Sequence, residues 1–156
     1  MISILITGGA GDWARSFRAR FKDRFNITTT SRTELDVTNE QSIVDFFQNK
    51  KFDVVINNAG SIHPHRILDT DSQLWINDIN VNLIGTFLVS KSALAANKET
   101  IIINISSTAG FNSYPDWSSY CASKAGVNTL SKCLAKDGFS VYCLCPGAID
   151  TKFRDK

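Results

Sequence analysis

The sequence has no apolar run close to the ~20 residues that span a bilayer. Its opening residues, Met1-Ile2-Ser3-Ile4-Leu5-Ile6, lack a basic stretch. Neither a membrane span nor a signal peptide is therefore expected. There is no internal repeat, low-complexity segment or linker, and a single domain over residues 1–156 is expected. Charge is scarce in either sign: 17 basic against 15 acidic residues leave +2, too little to argue for nucleic acid or an acidic membrane surface. The two histidines, His63 and His65, flank Pro64. They are too isolated for a metal site and read as a solvated loop. The four cysteines, Cys121, Cys133, Cys143 and Cys145, all fall in the last quarter. Cys143 and Cys145 alternate along an expected strand, so they share a face and read as buried thiols rather than metal ligands. A reducing, cytoplasmic setting is the expectation.

What is present is an ordinary globular composition, 43% apolar and 21% charged, which excludes a disordered or fibrous chain. Apolar runs alternate with helical stretches. Strands are expected at Ile2–Thr7, Ile27–Thr30, Asp53–Asn57, Thr100–Ser106 and Phe139–Leu144. Between them, Trp13, Phe17, Phe21 and Phe25 stand four apart on one helical face. Asn39 opens a helix to about Gln48, Ser72 caps a long helix to about Ala96, and a third long helix runs from about Trp117 to Lys136. Strands alternating with helices predict an α/β fold, a doubly wound parallel sheet of about five strands covered on both faces. Ligands of such sheets bind beyond the carboxyl ends of the strands, where strand order reverses.

The loops at those ends carry the chemistry. Thr7-Gly8-Gly9-Ala10-Gly11-Asp12-Trp13-Ala14 follows a strand and opens a helix. Its glycines let backbone approach a pyrophosphate, which the helix N-terminus favours. A plain turn is the alternative. Asn57-Asn58-Ala59-Gly60 offers small residues for an adenine or ribose and asparagines to tie the loop to the sheet. Asn104-Ile105-Ser106-Ser107 ends a strand, and Tyr120 and Lys124 follow one helical turn apart. Tyrosine ionises near pH 10. A nearby cation favours its phenolate, and Ser107 would bond a reacting oxygen.

These residues, in order, resemble the short-chain dehydrogenase/reductase superfamily. The resemblance rests on Thr7-Gly8-x-x-Gly11-x-x-Ala14, Asp36-Val37, Asn57-Asn58-Ala59-Gly60, Val81-Asn82, Ile105-Ser106-Ser107, Tyr120-x-x-x-Lys124 and Pro146-Gly147 with Thr151. It implies a Rossmann-like fold and a catalytic tetrad of Asn82, Ser107, Tyr120 and Lys124. Tyr120 would transfer the proton and Ser107 orient a carbonyl. Lys124 would bind the nicotinamide ribose and tune Tyr120, and Asn82 would hold a water. It further implies cofactor binding by Thr7, Gly8, Gly9, Gly11, Asp12, Trp13, Ser31, Arg32, Asp36, Val37, Asn58, Ala59, Gly60, Tyr120, Lys124, Pro146, Gly147, Ile149 and Thr151. The second strand ends in Thr30-Ser31-Arg32-Thr33 rather than a carboxylate. Arg32 can pair a 2′-phosphate, so NADP is the expected cofactor, with NAD the alternative.

Compared with the family, the glycine spacing matches the extended branch, while Asn-Asn-Ala-Gly is usual in the short one. Almost nothing separates Arg32 from Asp36, where relatives insert a helix and a strand. The sheet is expected to be truncated after the sixth family strand, with an open substrate side. The resemblance implies an NADP-dependent oxidoreductase interconverting a carbonyl and an alcohol. An NAD(P)-binding module or sensor, or a subunit acting through its two long helices, are the alternatives. A homodimer or homotetramer is expected through those helices. They carry Leu74, Ile79, Leu83, Phe87 and Leu94 on one and Val127, Leu130 and Leu134 on the other, with small residues Ala122, Ala125 and Gly126 for close approach.

Overall fold

A computed structural model of the chain describes residues 1–148. Five strands, β1 (Ser3–Thr7), β2 (Asn26–Thr30), β3 (Val54–Asn57), β4 (Ile101–Ile105) and β5 (Val141–Leu144), form one sheet in the order β2-β1-β3-β4-β5. All pairings are parallel. The chain therefore winds one way from β1 to β2 and the other way from β3 onward. The reversal lies between β1 and β3, and it places the carboxyl ends Thr7 and Asn57 beside one another. Among the described residues no strand stands between β2 and the next helix, so β2 is an edge. That agrees with the shortened stretch after Arg32.

The helices are α1 (Asp12–Phe21), α2 (Glu40–Phe47), α3 (Ser72–Ile79), α4 (Gly85–Ala96) and α5 (Ser118–Lys136). The alternating side chains of the strands divide the core in two. Leu5, Val55 and Ile102 face Ile43, Phe47, Val89 and Leu94 of α2 and α4. Ile4, Ile6 and Ile56 face Ala14, with Trp13 and Phe17 of α1 beside them. The four-residue aromatic spacing forms a continuous row, Trp13–Phe17 at 5.3 Å, Phe17–Phe21 at 4.8 Å and Phe21–Phe25 at 6.3 Å between centroids. The helix itself ends at Phe21, and Phe25 joins the row from the turn before β2.

Three further expectations are corrected. The long central helix is capped by Asp71, whose carboxylate accepts from the amides of Gln73 and Leu74, and Ser72 is its first helical residue. It is also not uniform: a π turn at Asn80–Ile84 joins α3 to α4. The Ser72–Ala96 span is long and apolar enough to cross a membrane by length and composition. Here, however, it buries the polar groups of Asp78, Asn82, Thr86 and Ser90 against the rest of the domain. Finally, β5 is not covered on both faces. Tyr142 is 61% exposed and Leu144 49%, because among the described residues β5 is the other edge and its Val141–Cys143 side alone meets α5.

Buried amides bind the sheet to this helical layer. Asn57 Nδ2 donates to Ser90 Oγ at 2.9 Å and to Asn104 Oδ1 at 2.8 Å, and Asn104 Nδ2 donates to Ser131 Oγ at 2.9 Å. One asparagine on each of the two central strands thus fixes α4 and α5 in register with the strand ends.

Candidate active site

The β1–α1 turn is shaped by contacts a side chain would block. Gly8 has φ +67°, and a Cβ there would come within 2.8 Å of Ala59 Cα. Gly11 precedes α1 with no side chain over the helix end. The adjoining loop is bonded to this turn. Thr7 Oγ1 accepts from the amides of Asn58 and Ala59, both at 3.0 Å, and Asn58 Nδ2 donates to the carbonyls of Thr7 and Gly8. Gly8, Gly11, Trp13, Asn58, Ala59 and Gly60 line a cleft of about 820 Å³. Thr7, Gly9 and Asp12 are not among its lining residues. Thr7 is buried, and Gly9 donates to the carbonyl of Thr30 at 2.8 Å. Asp12 bonds Arg15 at 2.6 Å. Gly9 thus supports the turn. A Cβ there would fall 2.6 Å from Thr29 Cβ, so Gly9→Ala is expected to cost about 1–3 kcal/mol of stability, as overpacking does, in a urea titration.

The end of β2 bears the second cluster. Ser31, Arg32, Asp36 and Val37 all line the cleft. Arg32 is largely exposed and its Nε meets Asp36 Oδ2 at 3.2 Å. Burial pushes the Asp36 carboxyl up, but bonds from Thr38 and Arg32 outweigh it and hold the group below the usual carboxylate range. Glu34 turns back onto Ser31. It accepts from the amide and the hydroxyl of Ser31, both at 2.7 Å, and those bonds hold its carboxyl low.

The third cluster lies at the ends of β4 and β5. Ser107, Tyr120, Lys124, Pro146 and Gly147 line the same cleft. Ser107 lines the cleft beside Tyr120, and its Oγ accepts from the amide of Ala109 at 3.1 Å. Burial pushes the Tyr120 hydroxyl above its ordinary value, against the opposing influence of the Ser107 hydroxyl. The protonated phenol is therefore its resting form near neutrality. Lys124 is buried beneath it. Its Nζ donates to the carbonyl of Ile105 at 2.8 Å and lies 5.5 Å from the centroid of the Tyr120 ring. Burial draws its pKa down to about 8, against the neighbouring Cys143 and Cys145. Those thiols do share a face, with Sγ atoms 3.9 Å apart, but they are only half-buried and Cys145 lies just past β5.

Asn82 is fully buried in the π turn and is not among the cleft-lining residues. Its amide bonds the loop after β3 in both directions, accepting from Ser61 N at 2.8 Å and donating to Ser61 O at 2.9 Å, and it also donates to Ser123 Oγ at 3.0 Å. Ile149 and Thr151 lie outside the described residues.

Sequence reasoning missed a buried carboxylate beside this cluster. Asp78, with no exposed surface, accepts from Ser61 Oγ at 2.7 Å, His63 Nδ1 at 2.7 Å, His63 N at 3.0 Å and Ser119 Oγ at 2.7 Å. His63 is thus anchored rather than a free loop residue. An aspartate in the second turn of an apolar helical segment, four residues before Asn82, was the available signal. The cleft is also lined by Leu35, Val81, Ile62, Tyr114 and Trp117. Trp117 packs edge-on to Tyr120 at 5.8 Å and against Tyr114 at 5.4 Å.

The cleft therefore joins a glycine turn, the small residues Ala59 and Gly60 and a Ser-Tyr-Lys cluster along the carboxyl ends of all five strands. Its volume falls within the range of ligand sites. The glycine turn at the start of α1, closed onto the Asn58–Ala59 backbone and lining the cleft, fits a pyrophosphate-bearing nicotinamide cofactor. Comparison with known proteins agrees. Residues 14–156 match the family model of short chain dehydrogenases. The chain is 32% identical over 111 residues to benzil reductase ((S)-benzoin forming) of Bacillus cereus, covering 64% of this chain and 45% of that protein. It spans about half the length of the curated relatives it matches. Among solved structures, the 3-ketoacyl-(acyl-carrier-protein) reductase of Brucella melitensis complexed with NADH superposes with TM-score 0.88 at 21% identity, covering 97% of this chain and 78% of that one. ElxO with NADP bound superposes with TM-score 0.87 at 25% identity, covering 99% and 77%. With a family match over nearly its whole length, this chain belongs to the short chain dehydrogenase family.

Proposed function

We propose that the chain is an NADP-dependent oxidoreductase that interconverts a carbonyl and an alcohol, with Tyr120 as the acid and base. The observation that carries this reading is that Ser107, Tyr120 and a buried Lys124, whose Nζ lies 5.5 Å from the Tyr120 ring, share one cleft with the glycine turn. Gly8, Gly11, Asn58, Ala59 and Gly60 would hold the cofactor's phosphates and adenosine side, and Lys124 its nicotinamide ribose. When bound, the nicotinamide supplies the hydride. Ser107 orients the carbonyl oxygen, and the Tyr120 hydroxyl donates a proton to it. A burial-raised tyrosine keeps that proton at neutral pH, which favours the reducing direction. Asn82 positions the loop after β3 through Ser61. Binding of NADPH read by its fluorescence, followed by a screen of carbonyl compounds, tests the reading. Binding without turnover would leave a cofactor-binding module instead.

Arg32 supports NADP, since its guanidinium is the cation at the adenosine end of the cleft. Arg32→Ala is expected to weaken NADPH by ~10-fold, about 1.4 kcal/mol, and NADH much less. The contact is exposed and shared with Asp36, which keeps it well under the value of a buried ion pair. Equal losses in fluorescence titrations with the two cofactors would contradict the assignment. NAD is the second reading, favoured by the Glu34 carboxylate on Ser31, where an acid would accept from a ribose hydroxyl.

The four free thiols support a reducing, cytoplasmic setting. A two-fold dimer or tetramer through the long helices is also part of the proposal. Ile76, Ile84 and Phe87 are each more than two-fifths exposed on α3, the π turn and α4. Gly126 is not available for that contact, because a Cβ there would meet Leu83 Cδ2 of the same chain at 2.7 Å. Sedimentation at micromolar concentration decides it, and a stable active monomer would exclude the assembly.

A further inference from the structure

The cleft has two chemically different ends. The charged groups that line it are Arg32 and Asp36 beyond β2, and Lys124 beneath Tyr120. On the far side of Tyr120, the lining residues are Ile62, Pro64, Ala109, Tyr114, Trp117 and the neutral amide of Asn77. The ionisable groups nearby are turned elsewhere. Asp78 is sealed under Ser61, His63 and Ser119, and Arg66 pairs with Asp116 at 3.5 Å. None of these four, His63 included, is a lining residue. Ile62 and Ala109 are almost fully buried against Tyr120 and make a rigid apolar floor. Trp117 stands edge-on to Tyr120, with planes 87° apart, and Tyr114 tilts against Trp117 at 55°. A flat group entering beside the Tyr120 hydroxyl would meet these rings in the edge and offset geometries that aromatic pairs favour. An anionic substituent against these rings would be stripped of water, and Ile62, Pro64, Ala109, Tyr114, Trp117 and Asn77 offer it no charge.

Resting on the reductase reading above, we infer that the substrate is an uncharged ketone or aldehyde carrying a flat, apolar, aryl-sized group on its carbonyl carbon. α-Keto acids and phosphorylated sugars are expected to be poor substrates. In the reducing direction one hydride and one proton add across the C=O bond to give a secondary or primary alcohol, and the reduced nicotinamide is oxidised in the same step.

Three probes of similar carbonyl reactivity separate ring from charge: 1-phenyl-1,2-propanedione, 2,3-butanedione and phenylglyoxylate, each with NADPH. The phenyl dione is expected to exceed butanedione by ~10-fold or more in kcat/KM, the scale of burying one aromatic side chain, and to exceed phenylglyoxylate by at least as much. Trp117→Ala should reduce the phenyl advantage mainly through KM, so that the phenyl dione loses ~10-fold more kcat/KM than butanedione. Equal losses on both diones would mean that Trp117 acts through Tyr120, and would overturn the aryl assignment, as would a preference for phenylglyoxylate. Binding is read separately, by quenching of tryptophan fluorescence in the presence of NADP⁺. A phenyl dione that binds but is never reduced overturns the reductase reading and keeps the substrate class, whereas reduction of butanedione or phenylglyoxylate in preference does the reverse. Tyr114→Ala gives the same comparison from the outer ring, should Trp117→Ala fail to bind NADPH.

Discussion

Tyr120→Phe is expected to bind NADPH as the unchanged protein does and to lose ~10²–10⁴ in kcat, the scale of general acid catalysis. The substitution removes only the hydroxyl. The ring that remains still packs with Ile62 and Ala109, still meets Trp117 edge-on at 5.8 Å, and still lies over the Lys124 ammonium. What disappears is the hydroxyl that lines the cleft with Ser107 and the proton it presents to a carbonyl oxygen. KM for the carbonyl substrate should change much less than kcat, because an interaction made chiefly in the transition state is lost. Burial raises the Tyr120 pKa. The reduction rate of the unchanged protein should therefore stay level through neutral pH and fall only in alkali, as the phenol loses its proton. The same profile in the phenylalanine variant, or turnover within a few-fold of the parent, would remove Tyr120 from the chemistry.

The strand ends were legible because each depends on a short local pattern. Gly8 can be read from sequence because a positive φ and a 2.8 Å approach leave room for nothing larger. Tyr120 and Lys124 can be read because helical spacing alone puts them on one face. Thr7, Gly9 and Asp12 sit in the same motif, yet the first two brace the turn and the third pairs with Arg15. A motif marks a loop without dividing its residues between those that face a ligand and those that hold the backbone. The pairing of Arg32 with Asp36 and of Glu34 with Ser31 was partly visible as proximity in sequence, but which carboxylate meets which donor is set by the turn after β2. Asp71 displaced Ser72 as the helix cap because the carboxylate reaches two amides at once. The π turn, the uncovered face of β5 and the burial of Asp78 follow from packing between segments far apart in sequence, which periodicity does not encode.

Asp78 supplies the second large expected effect. Its carboxylate joins three elements: Ser61 and His63 from the loop after β3, its own helix α3, and Ser119 at the start of α5. Ser119 precedes Tyr120, and Ser61 is the residue that Asn82 holds from both sides. Asp78→Ala would leave four donors without an acceptor in a buried place. Its expected cost is about 3 kcal/mol or more, since each buried donor left unsatisfied costs roughly 1–3 kcal/mol, measured by urea denaturation at pH 7. Asp78→Asn should recover most of that. An amide can accept from His63 N and Ser119 Oγ through its oxygen. Its NH₂ can donate to Ser61 Oγ and to His63 Nδ1 in the other imidazole tautomer. The pH dependence separates the two forms. Burial, the largest single influence, pushes the Asp78 carboxyl up, yet the bonds from Ser119, Ser61 and His63 together hold it below its ordinary value. A depressed carboxylate stabilises the fold above the unfolded pKa, near ~3.9, and that contribution is lost as pH falls through the lower folded value. The acid end of the stability curve should therefore fall less steeply in Asp78→Asn than in the unchanged protein. If Asp78→Ala retains full stability, or Asp78→Asn is no better than Asp78→Ala, the carboxylate does not clamp this loop to the helix that carries Tyr120.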